Sequence, residues 1–149
     1  MCIRDRLSRD IEIIAVNDAP ALSAIETAPA SYMENDASLV ITGATAVFDV
    51  DDTNIESAVV SISSNFTADD VLNFTDQNGI AGTYDSANGI LTLTGSASLA
   101  DYQSALQSIS YENTSDDPSD LSRTVTFLVN DGDVDSNICL LYTSPSPRD

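Results

Sequence analysis

The side chains that could do chemistry in this sequence are carboxylates and amides, gathered in a few short polar stretches. Asn17-Asp18 comes directly before Ala19-Pro20, residues 49–54 form an acidic loop, and residues 130–135 repeat aspartate at every second position. Each stretch offers hard oxygen atoms, which are the ligands that a hard cation prefers. Aspartate and asparagine are also good turn and cap residues, so solvated acidic turns are the alternative interpretation.

The composition excludes several classes of function. The chain has 24 acidic and 5 basic residues, a formal net charge of -19 and no histidine. A negative field of this size opposes nucleic acids and anionic membrane surfaces, so neither is an expected partner. The common acyl-transfer triads lack their base, and carboxylate pairs in polar turns are poorly placed for glycoside hydrolysis. We therefore expect a protein that is not an enzyme, and no apolar run is long enough for membrane insertion.

Both ends of the chain are predicted to be foreign to the protein. Residues 1–6 and 139–149 can be back-translated into codons that are partly reverse complements of each other and resemble sequencing adapters. We exclude these ends from reasoning about the fold, as an expression scar would be excluded. Both cysteines fall in them, so the remaining sequence predicts no disulfide and no thiol chemistry.

Short alternating segments separated by turn residues predict an all-β fold, an antiparallel sandwich of the cadherin or immunoglobulin kind. Residues 57–63 and 124–130 alternate apolar and polar side chains, which is typical of half-buried strands. Residues 80–84 and 90–94 flank a connection that ends in Asn88-Gly89, a typical hairpin signal. One short helix is expected near Leu99–Gln107.

The helix prediction rests on a capping pattern and on helical spacing. Ser98 stands three residues before Asp101, as at the start of a capped helix. Leu99, Tyr102 and Leu106 then recur at the spacing of one helical face. Tyr102 is therefore expected in the core.

The two ends of the domain raise a question about strand pairing. Residues 7–18 are interpreted as the last strand of a preceding unit plus a linker, because Pro20 cannot continue a ladder. Residues 19–138 would then form one sandwich that lacks its final strand. Our hypothesis is that the segment around residues 11–16 folds back into the vacant place, since an open edge is a liability.

The order and spacing of these motifs resemble a cadherin repeat. Asn17-Asp18-Ala19-Pro20, Glu34-Asn35, Asp49-Val50-Asp51 and the closing Val129-Asn130-Asp131-Gly132 follow one another as they do in that family. Residues 91–95, 102–106 and 110–114 look like the cadherin-like tandem repeats of very large bacterial surface proteins. The resemblance covers residues 10–138.

The resemblance implies Ca²⁺ at the junctions between repeats and no catalysis. It implies the ligands Asn17, Asp18, Asp49, Asp51 and Asp131, with Glu34, Asp52 and Asp133 as weaker candidates. Glu34 would serve the next junction downstream. The implied partners are neighbouring repeats of the same chain, and the implied location is extracellular or at the cell surface, in an adhesion protein.

Two other interpretations stay open at this point. The domain could be a binding module whose loops recognise a cell-surface glycan or protein, although Phe66 is the main aromatic residue outside the strand-like patterns. It could also be a metal-free acidic spacer, because charge far from zero keeps chains soluble and apart. The pairs Asp69-Asp70 and Asp116-Asp117 are interpreted as solvated loop charges.

Overall fold

The computed structural model describes residues 9–146 of the chain, so the predicted foreign residues 1–6 lie outside the described part. It contains eleven strands and one helix over this range. They are β1 Ala21–Ser23, β2 Ala30–Met33, β3 Leu39–Val40, β4 Ala46–Phe48, β5 Asn54–Ser64, β6 Asp70–Asn73, β7 Ala81–Asp85, β8 Ile90–Ser98, α1 Leu99–Gln107, β9 Ser110–Asn113, β10 Arg123–Asn130 and β11 Cys139–Ser146.

The strands form one large sheet and two small ones. The large sheet has the order β2-β11-β10-β5-β8-β7, and the small sheets have the orders β3-β9-β6 and β1-β4. Neighbours pair antiparallel, except that β2 runs parallel to β11. Residues of the large and small sheets share one apolar core. The expected all-β sandwich with one short helix is confirmed.

The core follows the predicted alternation of β5 and β10. Ala58, Val60 and Ile62 of β5 are buried, and so are Val125, Phe127 and Val129 of β10. The two strands pair so that Val60 lies opposite Phe127. Apolar side chains on one face of a pleated strand thus meet side by side and are covered by the smaller sheets.

The helix begins and ends where the sequence predicts. The Ser98 hydroxyl accepts a hydrogen bond from the backbone N–H of Asp101 at 3.1 Å, which satisfies one free donor of the first turn. Tyr102 and Leu106 are fully buried. The Tyr102 hydroxyl donates to the carbonyl oxygen of Gly95 at 2.6 Å, so its polar atom is paired inside the core.

The N-terminal segment forms no strand within this domain, so the hypothesis that it folds back beside β10 is wrong. Residues 9–20 belong to no strand, and the side chains of Ile11 and Ile13 are 83% and 90% exposed. The place beside β10 is taken by β11, which was excluded as foreign sequence. A strand needs a partner for its backbone groups, and the one free edge of β10 is already paired.

Asp70 is fully buried, so its interpretation as a solvated loop charge is wrong. Its carboxylate pairs with the Arg123 guanidinium, Nε to Oδ2 at 3.1 Å, and both side chains are inaccessible to water. The Tyr111 hydroxyl donates to Oδ1 at 2.6 Å and the Asn113 amide at 2.7 Å. The backbone N–H of Thr67 donates to Oδ2 at 2.7 Å. These four donors thus hold one buried charge, as a buried ion requires.

We expect Asp70→Asn to lower the free energy of unfolding by about 3–5 kcal/mol, because it leaves the buried Arg123 without a counter-charge. Urea unfolding followed by circular dichroism measures the change. Asp69→Asn is the matched control, since the Asp69 side chain is exposed, and it should stay within about 0.5 kcal/mol of the parent. Equal losses in both variants would contradict the buried pair.

Candidate metal site

The loop between β4 and β5 is folded around the carboxylate of Asp49. Its Oδ1 accepts the backbone N–H groups of Asp51 and Asp52 at 3.0 and 2.9 Å. Aspartate readily forms this kind of local turn with the backbone two and three residues further on. It gathers the three carboxylates so that one oxygen of each lies within 4.8 Å of the others.

The second oxygen of Asp49 has no partner. The Asp49 side chain is buried, with 8% of its surface exposed, and Oδ2 makes no hydrogen bond. A buried anionic oxygen left unpaired costs free energy, whereas a cation beside it would satisfy it. Because the potential metal ligands around Asp49 are all oxygen atoms, the site fits a hard cation such as Ca²⁺. It offers no sulfur or nitrogen ligand to a soft cation.

The loop after β10 supplies another carboxylate. Asp131 Oδ1 accepts the backbone N–H groups of Asp133 and Val134 at 2.8 and 2.7 Å. Its Oδ2 accepts the side-chain amide of Asn17 at 2.8 Å. Asp131 is also largely buried. The loop therefore holds Asp131 in a fixed orientation toward the linker.

The linker joins the two acidic loops. Asn17 contacts Asp131, and the backbone N–H of Asp18 donates to Asp51 Oδ2 at 3.1 Å. Pro20, two residues after Asp18, is buried. The structure thus brings Asn17 close to one acidic loop and the backbone of Asp18 close to the other.

The carboxylates share one electrostatic environment. The pKa of Asp52 is raised above its usual value by partial burial and by the charges of four other aspartates. These are, in order of effect, Asp49, Asp51, Asp131 and Asp133. Five negative groups therefore repel one another at this end of the molecule. Such repulsion is the electrostatic condition that a divalent cation relieves.

Asp131 responds in the opposite direction. Burial acts to raise the pKa of its carboxyl, but the hydrogen bonds from Val134, Asn17 and Asp133 outweigh burial and hold it below its usual value. A carboxylate that accepts several N–H bonds is stabilised in its charged form. Asp131 thus stays ionised beside Asp52, which keeps the site negative near neutral pH.

Glu34 lies at the other end of the sandwich. Strand β10 runs from Arg123 to Asn130, with Asp131 just beyond its end. Arg123 pairs with Thr143 of β11, and Thr143 pairs with Ala30 of β2. Since β2 continues from Ala30 past that end to Met33, Glu34 is separated from Asp131 by the length of β10. It therefore does not take part in the acidic cluster around Asp131.

The sequence marks these carboxylates as candidates but does not show how the backbone fixes them. The N–H groups of Val134 and of Asp18 take part in the cluster, and no side-chain motif signals them. The spacing of Asp49 to Asp51 and Asp52 does signal the local turn. Within residues 9–146, Asp49, Asp51 and Asp52 are the one group of three potential metal ligands that the structure brings together.

Comparison with known proteins gives one partial similarity. Over 91 residues the chain is 36% identical to Halomucin of Haloquadratum walsbyi. The matched region covers 57% of this chain and 1% of Halomucin. The chain therefore spans a very small part of that relative, as one repeat of a large protein would. No family model and no solved structure matches the chain. Among the described residues, no helix is long and apolar enough to cross a membrane.

Without metal, Asp52→Asn should stabilise the protein at neutral pH. A raised pKa means that ionising Asp52 destabilises the folded state, so removing its charge restores stability above the raised pKa. Below the ordinary value of 3.8 the carboxyl is protonated in both states and the gain should vanish. Thermal unfolding in a chelator at neutral and at acidic pH measures the difference.

Asp85→Asn provides the matched contrast. The Asn88 side chain and the Ala87 N–H hold the pKa of Asp85 below its usual value. Its charge therefore stabilises the fold above 3.8, and this contribution is lost as pH falls through the lowered pKa. The same chemical change should thus be destabilising here at neutral pH. A shift of the same sign in both variants would contradict the electrostatic account.

Proposed function

We propose that this chain is a non-catalytic, calcium-stiffened repeat of a large extracellular or cell-surface protein. The observation that carries the proposal is the buried Asp49 carboxylate, which has an unpartnered oxygen beside Asp51 and Asp52. In a protein without metal, burying that unpaired oxygen destabilises the folded state. With a divalent cation, the same oxygen becomes a ligand.

Each residue of the cluster has a distinct part in the proposed site. Asp49, Asp51 and Asp52 provide three carboxylates from one loop, and Asp131 provides a fourth from another. Asn17 and Asp18 belong to the linker and bring an amide and a carboxylate. Ca²⁺ supplies positive charge that neutralises these groups, and its six to eight oxygen ligands can come from several loops at once.

The mechanical consequence concerns the linker. Asn17 and Asp18 are anchored to the domain by one side-chain bond and one backbone bond. The bond from Asp18 is exposed and the bond from Asn17 is only partly buried, so the two contribute little and break easily. A cation shared by the linker and both acidic loops would add strong oxygen contacts at the same place. The angle between this repeat and its neighbour in the same chain would then be fixed.

The partial similarity to Halomucin supports the part of the proposal that concerns a large protein. The acidic composition and the lack of histidine support a non-catalytic role. Adhesion, and any cell-surface glycan or protein partner, would belong to the parent protein. Phe66, the loop aromatic that could have served a binding face, is partly buried against the core. No contact among the described residues therefore favours recognition of a glycan or protein by the loops.

A metal-free acidic spacer is the second candidate, because the formal net charge of -19 favours solubility without any ligand. The two candidates differ in whether the carboxylates act as ligands or as a diffuse charge. A diffuse charge attracts Ca²⁺ weakly and non-specifically, and salt screens it. A site saturates and depends on particular residues.

Calorimetric titration of the full chain with CaCl₂ tests the proposal. We expect saturable binding with a Kd of about 10⁻⁴–10⁻³ M, the range of extracellular calcium modules. At tenfold excess over Kd the free energy of unfolding should rise by about 1.4 kcal/mol. The double variant Asp49→Asn, Asp51→Asn should lose both effects.

The double variant Asp116→Asn, Asp117→Asn is the control, because it removes the same two charges from side chains that are exposed elsewhere. It should bind Ca²⁺ as the parent does. If both double variants lose binding equally, or if the parent gives no saturable heat in moderate salt, the acidic spacer is the better description.

A further inference from the structure

The N-terminal segment of residues 10–16 exposes an apolar row that the calcium proposal leaves unexplained. The side chains of Ile11, Ile13, Ile14 and Val16 are 75–90% exposed, and the segment belongs to no strand of the described structure. It is anchored only from Asn17 onward. Four large apolar side chains in a row on an extended segment are costly in water and indicate a missing partner.

The side chains of β11, the strand next to β10, fit poorly into the environment around them. Leu141 of β11 is fully buried, but the next inward position is Thr143, whose buried hydroxyl has no partner. The outward positions Leu140 and Tyr142 are apolar and half-exposed. The pattern of β11 is thus partly inverted, with a polar atom inside and apolar groups outside. The residues of β11 are also the ones predicted to be foreign.

Residues 10–16 have the alternation of apolar and polar side chains that a strand in the position of β11 requires. With Ile13 at the position of Leu141, Ile11 and Ala15 take the positions of Cys139 and Thr143, and Glu12 faces outward. The alternative parity would turn Glu12 into the core, which is prohibitive for an unpaired carboxylate. The alignment therefore follows from side-chain chemistry.

We propose that residues 10–16 pair with the β10 edge of a second copy of this chain, in place of that copy's β11. The inference does not depend on calcium. In the acceptor, the donated strand runs antiparallel to β10, as β11 does. No side chain then leaves an unpaired hydroxyl in the core, and Ile11 and Ile13 become buried.

The direction of the donated strand fixes how the copies are arranged. β11 starts opposite Phe127 and ends beyond Arg123, so the donor's Asn17 would leave at the Arg123 end of the acceptor. The donor's acidic cluster then stands next to the end at which Glu34 of the acceptor lies. The contact is heterologous, joining one end of a copy to the other end of the next, and such contacts propagate into open chains.

Analytical ultracentrifugation of the full chain in a chelator, over a wide range of concentrations, tests the proposal. We expect dimers and larger species that grow with concentration. Ile13→Asp should weaken this association by roughly tenfold or more, because the proposal buries that side chain. Both Ile13 and Ile14 are exposed in the monomer, so neither substitution should disturb the fold, and circular dichroism checks this.

Ile14→Asp is the matched control, since Ile14 faces outward in the proposed alignment at the position of half-exposed Tyr142. It should associate nearly as well as the parent. Equal loss in the two variants would indicate non-specific apolar contact and would overturn the proposal. A parent that stays monomeric at every concentration would overturn it as well. Calcium binding by that monomer would leave the proposed function intact.

Discussion

The pairing of β10 with its neighbours is the constraint on which the rest of the structure depends. β10 crosses the whole sandwich, with Arg123 at its first position and Asp131 just beyond its last. Its inward residues fill the core, while its two ends carry the buried ion pair and part of the acidic cluster. A shift of one residue against β5 would turn its apolar face outward, so the register is strongly specified. Both charged ends are therefore held at a fixed separation.

The buried carboxylates at the two ends of β10 are stabilised in different ways. At one end, Asp70 is sealed from water and compensated by Arg123 and by neutral donors. At the other end, Asp49 and Asp131 are largely buried, yet the groups that stabilise them are backbone N–H donors and one amide. Backbone donors stabilise a carboxylate without neutralising it. The buried charge at the first end has a counter-charge within the protein, although Arg123 Nη2 has no partner, whereas the second end remains negative.

Local patterns in the sequence predicted what depends on neighbours along the chain. The alternation of β10, the Ser98 cap and the turn at Asp49 each need only a few adjacent residues. The burial of Asp70 could not be predicted in this way, because Asp69 beside it is exposed and the decisive partners, Tyr111 and Arg123, are far away in sequence. The final strand is missed for a different reason, since its residues carry the codon pattern of foreign sequence.

The strand exchange and the metal site, although argued from separate observations, constrain the same junction. Asn17 and Asp18 lie between the exposed segment of residues 10–16 and the acidic loops. Pairing of that segment with a neighbour would restrict the position of the N-terminal end of the linker. The contacts to Asp51 and Asp131 restrict the position of its other end. Only a few residues then remain free to bend. A junction held on both sides in this way transmits orientation from one repeat to the next, which a flexible acidic linker cannot do.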